Sequence, residues 1–160
     1  DMYVRTYGST YDLTWTTIRP FNMYGPNSHW QGYRGEVIPK MIVRAMNREP
    51  LVIFGEGDQT RDFIYVEDAA RAIVMATERF NGEQPVNIGT SHEITIRDLV
   101  ELIARLTGYE GKVIWDTSKP DGQPRRKLDT TRAKKLFDFE AETDLETGLE
   151  KTINWWEQQG

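Results

Sequence analysis

The residues best suited to chemistry cluster in "GEGDQTRDFIYVEDAARA", Gly55 to Ala72. Arg61 stands there at the entry to a strand-like run, with Glu56, Asp58 and Asp62 close to it in sequence. A guanidinium fork matches phosphate oxygens two at a time, and acidic neighbours could hold such a fork extended. The same charges read equally as a surface ion-pair cluster. Asn22 follows at once on the apolar run "LTWTTIRP". In parallel α/β sheets ligands bind beyond the carboxyl ends of strands, where an amide can contact a phosphate without adding charge. Asn22 could also merely shape a turn. Lys119, Arg125, Arg126 and Lys127 gather cations in the loop "KPDGQPRRKLD" of a chain whose net charge is −5. Local positive charge in an acidic chain suits a small anionic ligand, or a solvated loop. Phe54, at a strand end before a glycine, could stack on a nucleobase or fill a core.

No catalytic group joins these binding candidates. There is no cysteine, and His29 and His92 lie far apart without ligand spacing, so neither thiolate chemistry nor a zinc site is expected. No glycine-rich dinucleotide loop, P-loop or H-E-x-x-H occurs. The negative balance argues against a nucleic-acid partner. No apolar run is long enough to span a membrane and no signal peptide is visible, so a cytoplasmic chain is expected.

Strands and helices that alternate along the chain must position the candidates, which makes the class α/β. A first helix ends near Gly8. "LTWTTIRP" reads as a buried strand. "FNMYGPNSHWQGYRG" reads as a long loop carrying Phe21, Tyr24, Trp30 and Tyr33. "EVIPKMIVRAMN" has a helical apolar stripe. "LVIF" and "RDFIYV" read as strands joined by a glycine-acid turn. "VEDAARAIVMATERF" reads as a helix with acids at its start. "QPVNIGT" and "KVIWDTS" read as strands, and "TIRDLVELIARLTG" as a helix capped by Thr95 and stopped at Gly108. "KPDGQPRRKLD" reads as a loop, followed by two closing helices in which Trp155 and Trp156 pack. The 160 residues suffice for one cored unit, with no repeat and no linker. The chain opens without an initiator methionine on residues that read as helix in progress, so a segment upstream of residue 1 is expected.

Taken in order, "RPFNMYGP", "VIPKMI", "PLVIFGEGDQTRDFIYVEDAARA", "VNIGT" and "KPDGQPRRKLD" resemble the C-terminal half of the extended short-chain dehydrogenase/reductases, the NAD-dependent nucleotide-sugar epimerases and dehydratases. The resemblance covers essentially the whole chain. It implies a small mixed α/β substrate-binding domain plus the last helix and strand of a Rossmann-type parallel sheet. Residues 1–33 would be the remnant of the NAD-binding domain and residues 34–160 the nucleotide-sugar domain. Asn22 would contact the sugar nucleotide near its diphosphate, and Arg61 would bind that diphosphate. Val37 and Phe54 would frame the base. Asn87 would support the same end, and Gln123 and Arg125 would close over ribose or phosphate. Pro20 and Phe21 would lie against the nicotinamide of NAD. The last loop departs from the simpler Pro-Gly-Asp form by an extra residue, which leaves base and sugar open.

The family's Tyr-x-x-x-Lys pair is missing. Four residues after the seven tyrosines come Tyr7, Tyr11, Trp15, Ser28, Val37, Ala69 and Val113. The resemblance therefore implies a substrate-binding portion of an NAD-dependent isomerase or lyase, inactive by itself, with NAD bound only in the intact parent. The partner is a nucleotide-diphosphate sugar. An open strand edge and the first helix are expected to drive homo-oligomer formation. A non-enzymatic module that senses a nucleotide-sugar or another anion is the alternative, and a purely structural domain a third reading.

Overall fold

The computed structural model describes residues 1–29, 36–120 and 122–159. The elements run α1 (Met2–Tyr11), β1 (Thr16–Pro20), β2 (Met23–Tyr24), α2 (Val37–Met46), β3 (Leu51–Phe54), β4 (Thr60–Arg61), β5 (Ile64–Tyr65) and α3 (Val66–Arg79). There follow β6 (Gly82–Ile88), β7 (Ile94–Thr95), α4 (Ile96–Leu106), β8 (Val113–Asp116), β9 (Arg125–Arg126), α5 (Thr131–Phe137) and α6 (Leu145–Glu157).

The strands form small, mostly parallel pairings. β1 runs beside β6 with Arg19 opposite Asn87 and Pro20 opposite Ile88. β2 pairs with β5 and β3 with β8, both parallel. β4 lies between β7, antiparallel, and β9, parallel. One apolar core packs α2, β3, α4 and α6 through Ile38, Ile42, Leu51, Leu99, Ile103 and Leu149. A second joins α3, β6 and α5 through Ala69, Ala72, Val86, Ile88 and Phe137. The apolar stripe of α4 and its Thr95 cap, whose Oγ1 accepts from Asp98 N at 3.0 Å, explain why that helix starts where it does. Among the described residues no helix is long and apolar enough to cross a membrane.

Four local expectations are corrected. Gly8 does not end the first helix. It is buried within α1, where a Cβ would collide with the Trp15 indole, and the helix stops at Asp12 in the left-handed conformation with φ 51°. The expected long loop after Phe21 contains β2, because Tyr24 is buried edge-on against Tyr65. Trp30 and Tyr33, and the expected boundary between residues 33 and 34, lie outside the described residues. "RDFIYV" is not one strand but two, interrupted where Asp62 turns inward. The "KPDGQPRRKLD" loop contributes β9. Asp68 does more than favour its own helix's dipole. It is buried, pairs with Arg71 at 2.8 Å and accepts from Thr143 N at 2.8 Å and Glu142 N at 3.2 Å. Burial alone would raise its pKa, but the Arg71 bond and these N–H donors together bring it below the usual carboxylate value.

Candidate functional site

A cavity of about 950 Å³ opens between α2, β3, β4 and the segment before β9. Its apolar wall follows from the two-residue repeat of β3. All four β3 residues line the cavity, Leu51 and Ile53 buried against the core and Val52 and Phe54 exposed on the other face. Val37, at the first turn of α2, lines it as well.

The polar floor begins at Asn22, which adopts φ 41° just past β1. Asparagine tolerates that backbone better than most residues. Its Nδ2 donates to the Asp62 carbonyl at 2.9 Å. Asp62 is fully buried, and its carboxylate accepts from Thr90 N at 3.1 Å, Thr90 Oγ1 at 2.5 Å and Ser91 N at 3.0 Å. Ser91 in turn bonds Thr130 Oγ1 at 2.7 Å. The floor is thereby tied to three distant stretches of chain.

Arg61 lies beside this floor, half-buried and facing the cavity. Its Nη1 donates to Thr60 O at 2.6 Å and to Gln123 O at 2.8 Å. Burial, reinforced by the nearby Arg126 cation, draws its pKa below the ordinary arginine value, though a guanidinium keeps its charge in water-accessible sites. The expectation that acids hold Arg61 is overturned. Asp58 pairs with Arg97 at 3.6 Å, Arg97 also donates to the Glu56 carbonyl, and Asp62 faces the 90–91 turn. Asp62, next in sequence to Arg61, points to the opposite side. Among the described residues no carboxylate pairs with Arg61.

Lys119, Pro120 and residues 122–126 form a strap along one side of the cavity, with Pro120 and Gly122 lining it. β9 pairs with β4, and Thr60 N donates to Pro124 O at 2.9 Å. Arg125 grips Glu93 with Nε at 2.8 Å and Nη2 at 2.6 Å, and Thr60 Oγ1 donates to the same carboxylate at 2.7 Å. The Arg125 bonds, then the Thr60 bond, push the Glu93 pKa down to about 2.

Asn22, Val37, Phe54 and Arg61 thus come together around one cavity. Gln123 reaches it through its carbonyl on Arg61. The remaining residues singled out from the sequence lie elsewhere. Asn87 donates from Nδ2 to Asp129 O at 3.4 Å, away from the cavity. Arg125 is spent on Glu93 and borders a separate, shallower hollow with Ser91 and Lys127. Pro20 ends β1, and the Phe21 ring lies under the Arg126 guanidinium at 4.6 Å. Sequence reasoning missed the buried role of Asp62, the anchor Glu93, and Lys40 and Arg44 on the cavity side of α2. Only the last pair left a trace, since 37, 40 and 44 share a helical face.

The mixed α/β arrangement with short parallel pairings matches that of Rossmann-type epimerases of known structure. The chain belongs to the NAD dependent epimerase/dehydratase family, whose model matches residues 1–89. It is 36% identical over 170 residues to GDP-L-fucose synthase of Escherichia coli, covering 98% of this chain and 51% of that protein. It is 37% identical over 142 residues to GDP-L-fucose synthase 1 of Arabidopsis thaliana, covering 86% of this chain and 44% of the relative. UDP-glucose 4-epimerase of Thermotoga maritima, solved with UDP-glucose, superposes with a TM-score of 0.92 at 31% identity, covering 99% of this chain and 50% of that one. The chain therefore spans about half the length of the relatives it matches.

Proposed function

We propose that this chain is the nucleotide-sugar-binding portion of an NAD-dependent epimerase/dehydratase-type enzyme, and that Arg61 binds the diphosphate of the substrate. The observation that carries this reading is Arg61 itself: a half-buried cation on a cavity wall, oriented by two carbonyls, with no carboxylate partner among the described residues. Asn22 adds a neutral donor fixed by the Asp62 carbonyl. Val37 and Phe54 supply apolar surface for a base at the other end. The strap closes the ribose or phosphate side. Residues 1–33 belong with the dinucleotide-binding part of the parent, and residues 34–160 with the sugar-nucleotide lobe.

NAD, when bound in the parent, supplies hydride transfer. The residues present fit one wall of its nicotinamide site. Phe21 is half-buried just past β1, its N–H donating to Ile88 O at 3.2 Å, and its ring lies under the Arg126 guanidinium. Pro20 and Phe21 would orient that ring and exclude water from one side. With no Tyr-x-x-x-Lys, the chain by itself positions substrate and moves no proton from it.

Titration calorimetry with UDP, GDP and dTDP tests the reading. Binding is expected, with Arg61→Ala weakening it about 30- to 100-fold, the equivalent of about 2–3 kcal/mol for a charge-assisted contact. Equal affinity in wild type and variant would refute the assignment. Sugar conversion by the purified chain would refute its inactivity.

A further inference from the structure

The cavity is shared between two cores. Val37 and Phe54 stand on α2 and β3, whose Ile38, Ile42, Leu51 and Ile53 pack in the first. The floor is tied to the second. The Asp62 carboxylate accepts from Thr90 and Ser91, just past β6, and Ser91 bonds Thr130, just before α5. β6 and α5 pack in the second core through Val86, Ile88 and Phe137. A ligand that reaches from Arg61 to the apolar wall therefore reads the spacing of the two cores. An anion held at Arg61 alone does not.

Besides the two-residue pairing of β4 with β7, charged side chains of α3 cross between the cores. α3 packs in the second core through Ala69, Ala72 and Ala76, and α6 in the first through Leu149 and Ile153. Residues 138–144 connect α5 to α6. Asp68 Oδ2 accepts from Glu142 N at 3.2 Å and Thr143 N at 2.8 Å, and Oδ1 accepts from Arg71 Nη2 at 2.8 Å. The same Nη2 donates to Glu140 O at 2.6 Å, Nη1 pairs with Glu142 Oε1 at 3.1 Å, and the guanidinium covers the Phe139 ring at 5.0 Å. α3 thus grips the connector along its length. Just beyond the grip, Asp144 caps α6 by accepting from Thr147 N at 2.9 Å, and Leu145 O accepts from the Tyr24 hydroxyl at 3.3 Å. Tyr24 lies two residues after Asn22, so the far end of the connector reaches back to the floor.

An exposed ion pair would give way at little cost. Asp68 is 3% exposed, and a buried carboxylate cannot shed its donors without leaving them unpaired. Neither Asp68 nor Arg71 lines the cavity. We propose that both are positioning residues: their clamp on the connector sets the distance between the phosphate-facing floor and the apolar wall. The proposal rests on the diphosphate reading above and adds what holds that site to size.

The test adds inorganic pyrophosphate to the calorimetry with UDP, GDP and dTDP. Arg71→Met removes the guanidinium and leaves Asp68 its two N–H donors. It should weaken the nucleotides at least about 5-fold, the lower end of coupling between distant sites, and leave pyrophosphate within about 2-fold. A role confined to stability would lower Tm and leave the ratio of nucleotide to pyrophosphate affinity untouched, and that result overturns the proposal. A second measurement uses the unaltered chain and needs no variant to fold. Coupling between sites is reciprocal, so saturating nucleotide should slow hydrogen exchange at the Glu142 and Thr143 amides more than saturating pyrophosphate does. Equal protection by the two overturns the proposal as well. If pyrophosphate and every nucleotide fail to bind, the Arg61 reading falls and this one with it. If the nucleotides bind no tighter than pyrophosphate, this one alone falls.

Discussion

The floor and the strap of the cavity meet at β4, yet they are fastened by opposite means. The floor is a buried carboxylate with N–H and O–H donors on two neighbouring residues, Thr90 and Ser91, and a carbonyl that orients Asn22. The strap is fastened by the Arg125–Glu93 pair, an Arg61 bond to one carbonyl and a two-residue strand pairing, with residues 122–127 exposed. Buried bonds are costly to leave unmade, whereas exposed pairs trade readily with water. The floor is thus held mostly by buried bonds, and the strap by contacts that its exposed residues share with water.

The contrast is broken most severely at Asp62. Asp62→Ala leaves several buried donors without an acceptor and should cost about 3 kcal/mol, lowering Tm by about 8 °C in thermal unfolding. A milder challenge to the same floor is Gly89→Ala. A Cβ there lies 3.0 Å from Asp62 Oδ2 and 3.2 Å from Leu128 Cδ1, so about 1–2 kcal/mol of overpacking is expected. The strap should respond differently. Glu93→Gln, at a pair exposed on its Arg125 side but largely covered at Glu93, is expected to lower Tm by clearly less than Asp62→Ala does, while hydrogen exchange at residues 123–126 accelerates. If Glu93→Gln unfolds the chain as Asp62→Ala does, the distinction is lost.

Acidity sharpens the comparison further. The Glu93 carboxyl is held at about 2, below its ordinary value, so the pair contributes fully above the ordinary carboxylate range. That contribution fades progressively as pH falls from the ordinary carboxylate value towards about 2. Exchange protection of the strap, corrected for intrinsic rates, should therefore match at pH 7 and pH 5. A loss of protection by pH 5 would show that the Arg125 grip is not what holds it. The smallest effect expected concerns neither region. α1 exposes Met2, Tyr3, Tyr7 and Tyr11, and β1 is paired only with β6 among the described residues. Weak self-association through this end should appear as a mass that rises with concentration in light scattering.

Periodicity made the helices legible. The stripes of α2 and α4, the Thr95 cap and the Gly108 stop, with φ 56°, are local properties of the chain. β2 was hidden because Met23 and Tyr24 alternate with nothing, and pair with β5 only once Tyr24 packs on Tyr65. The acids near Arg61 misled for a related reason, since Asp58 pairs with Arg97 and Asp62 with the 90–91 turn, both distant in sequence. Asn22, Val37, Phe54 and Arg61 were legible as a set only through the order of motifs. Glu93 left no signal, because its partners Thr60 and Arg125 lie 33 and 32 residues away.

One contact has an evolutionary corollary. Arg61 holds the strap through the main-chain oxygen of Gln123 and ignores its side chain. Every amino acid brings that oxygen, so mutation can rewrite position 123 freely while the attachment persists. A lineage built on this scaffold could vary the side chains along the strap without loosening its attachment to Arg61.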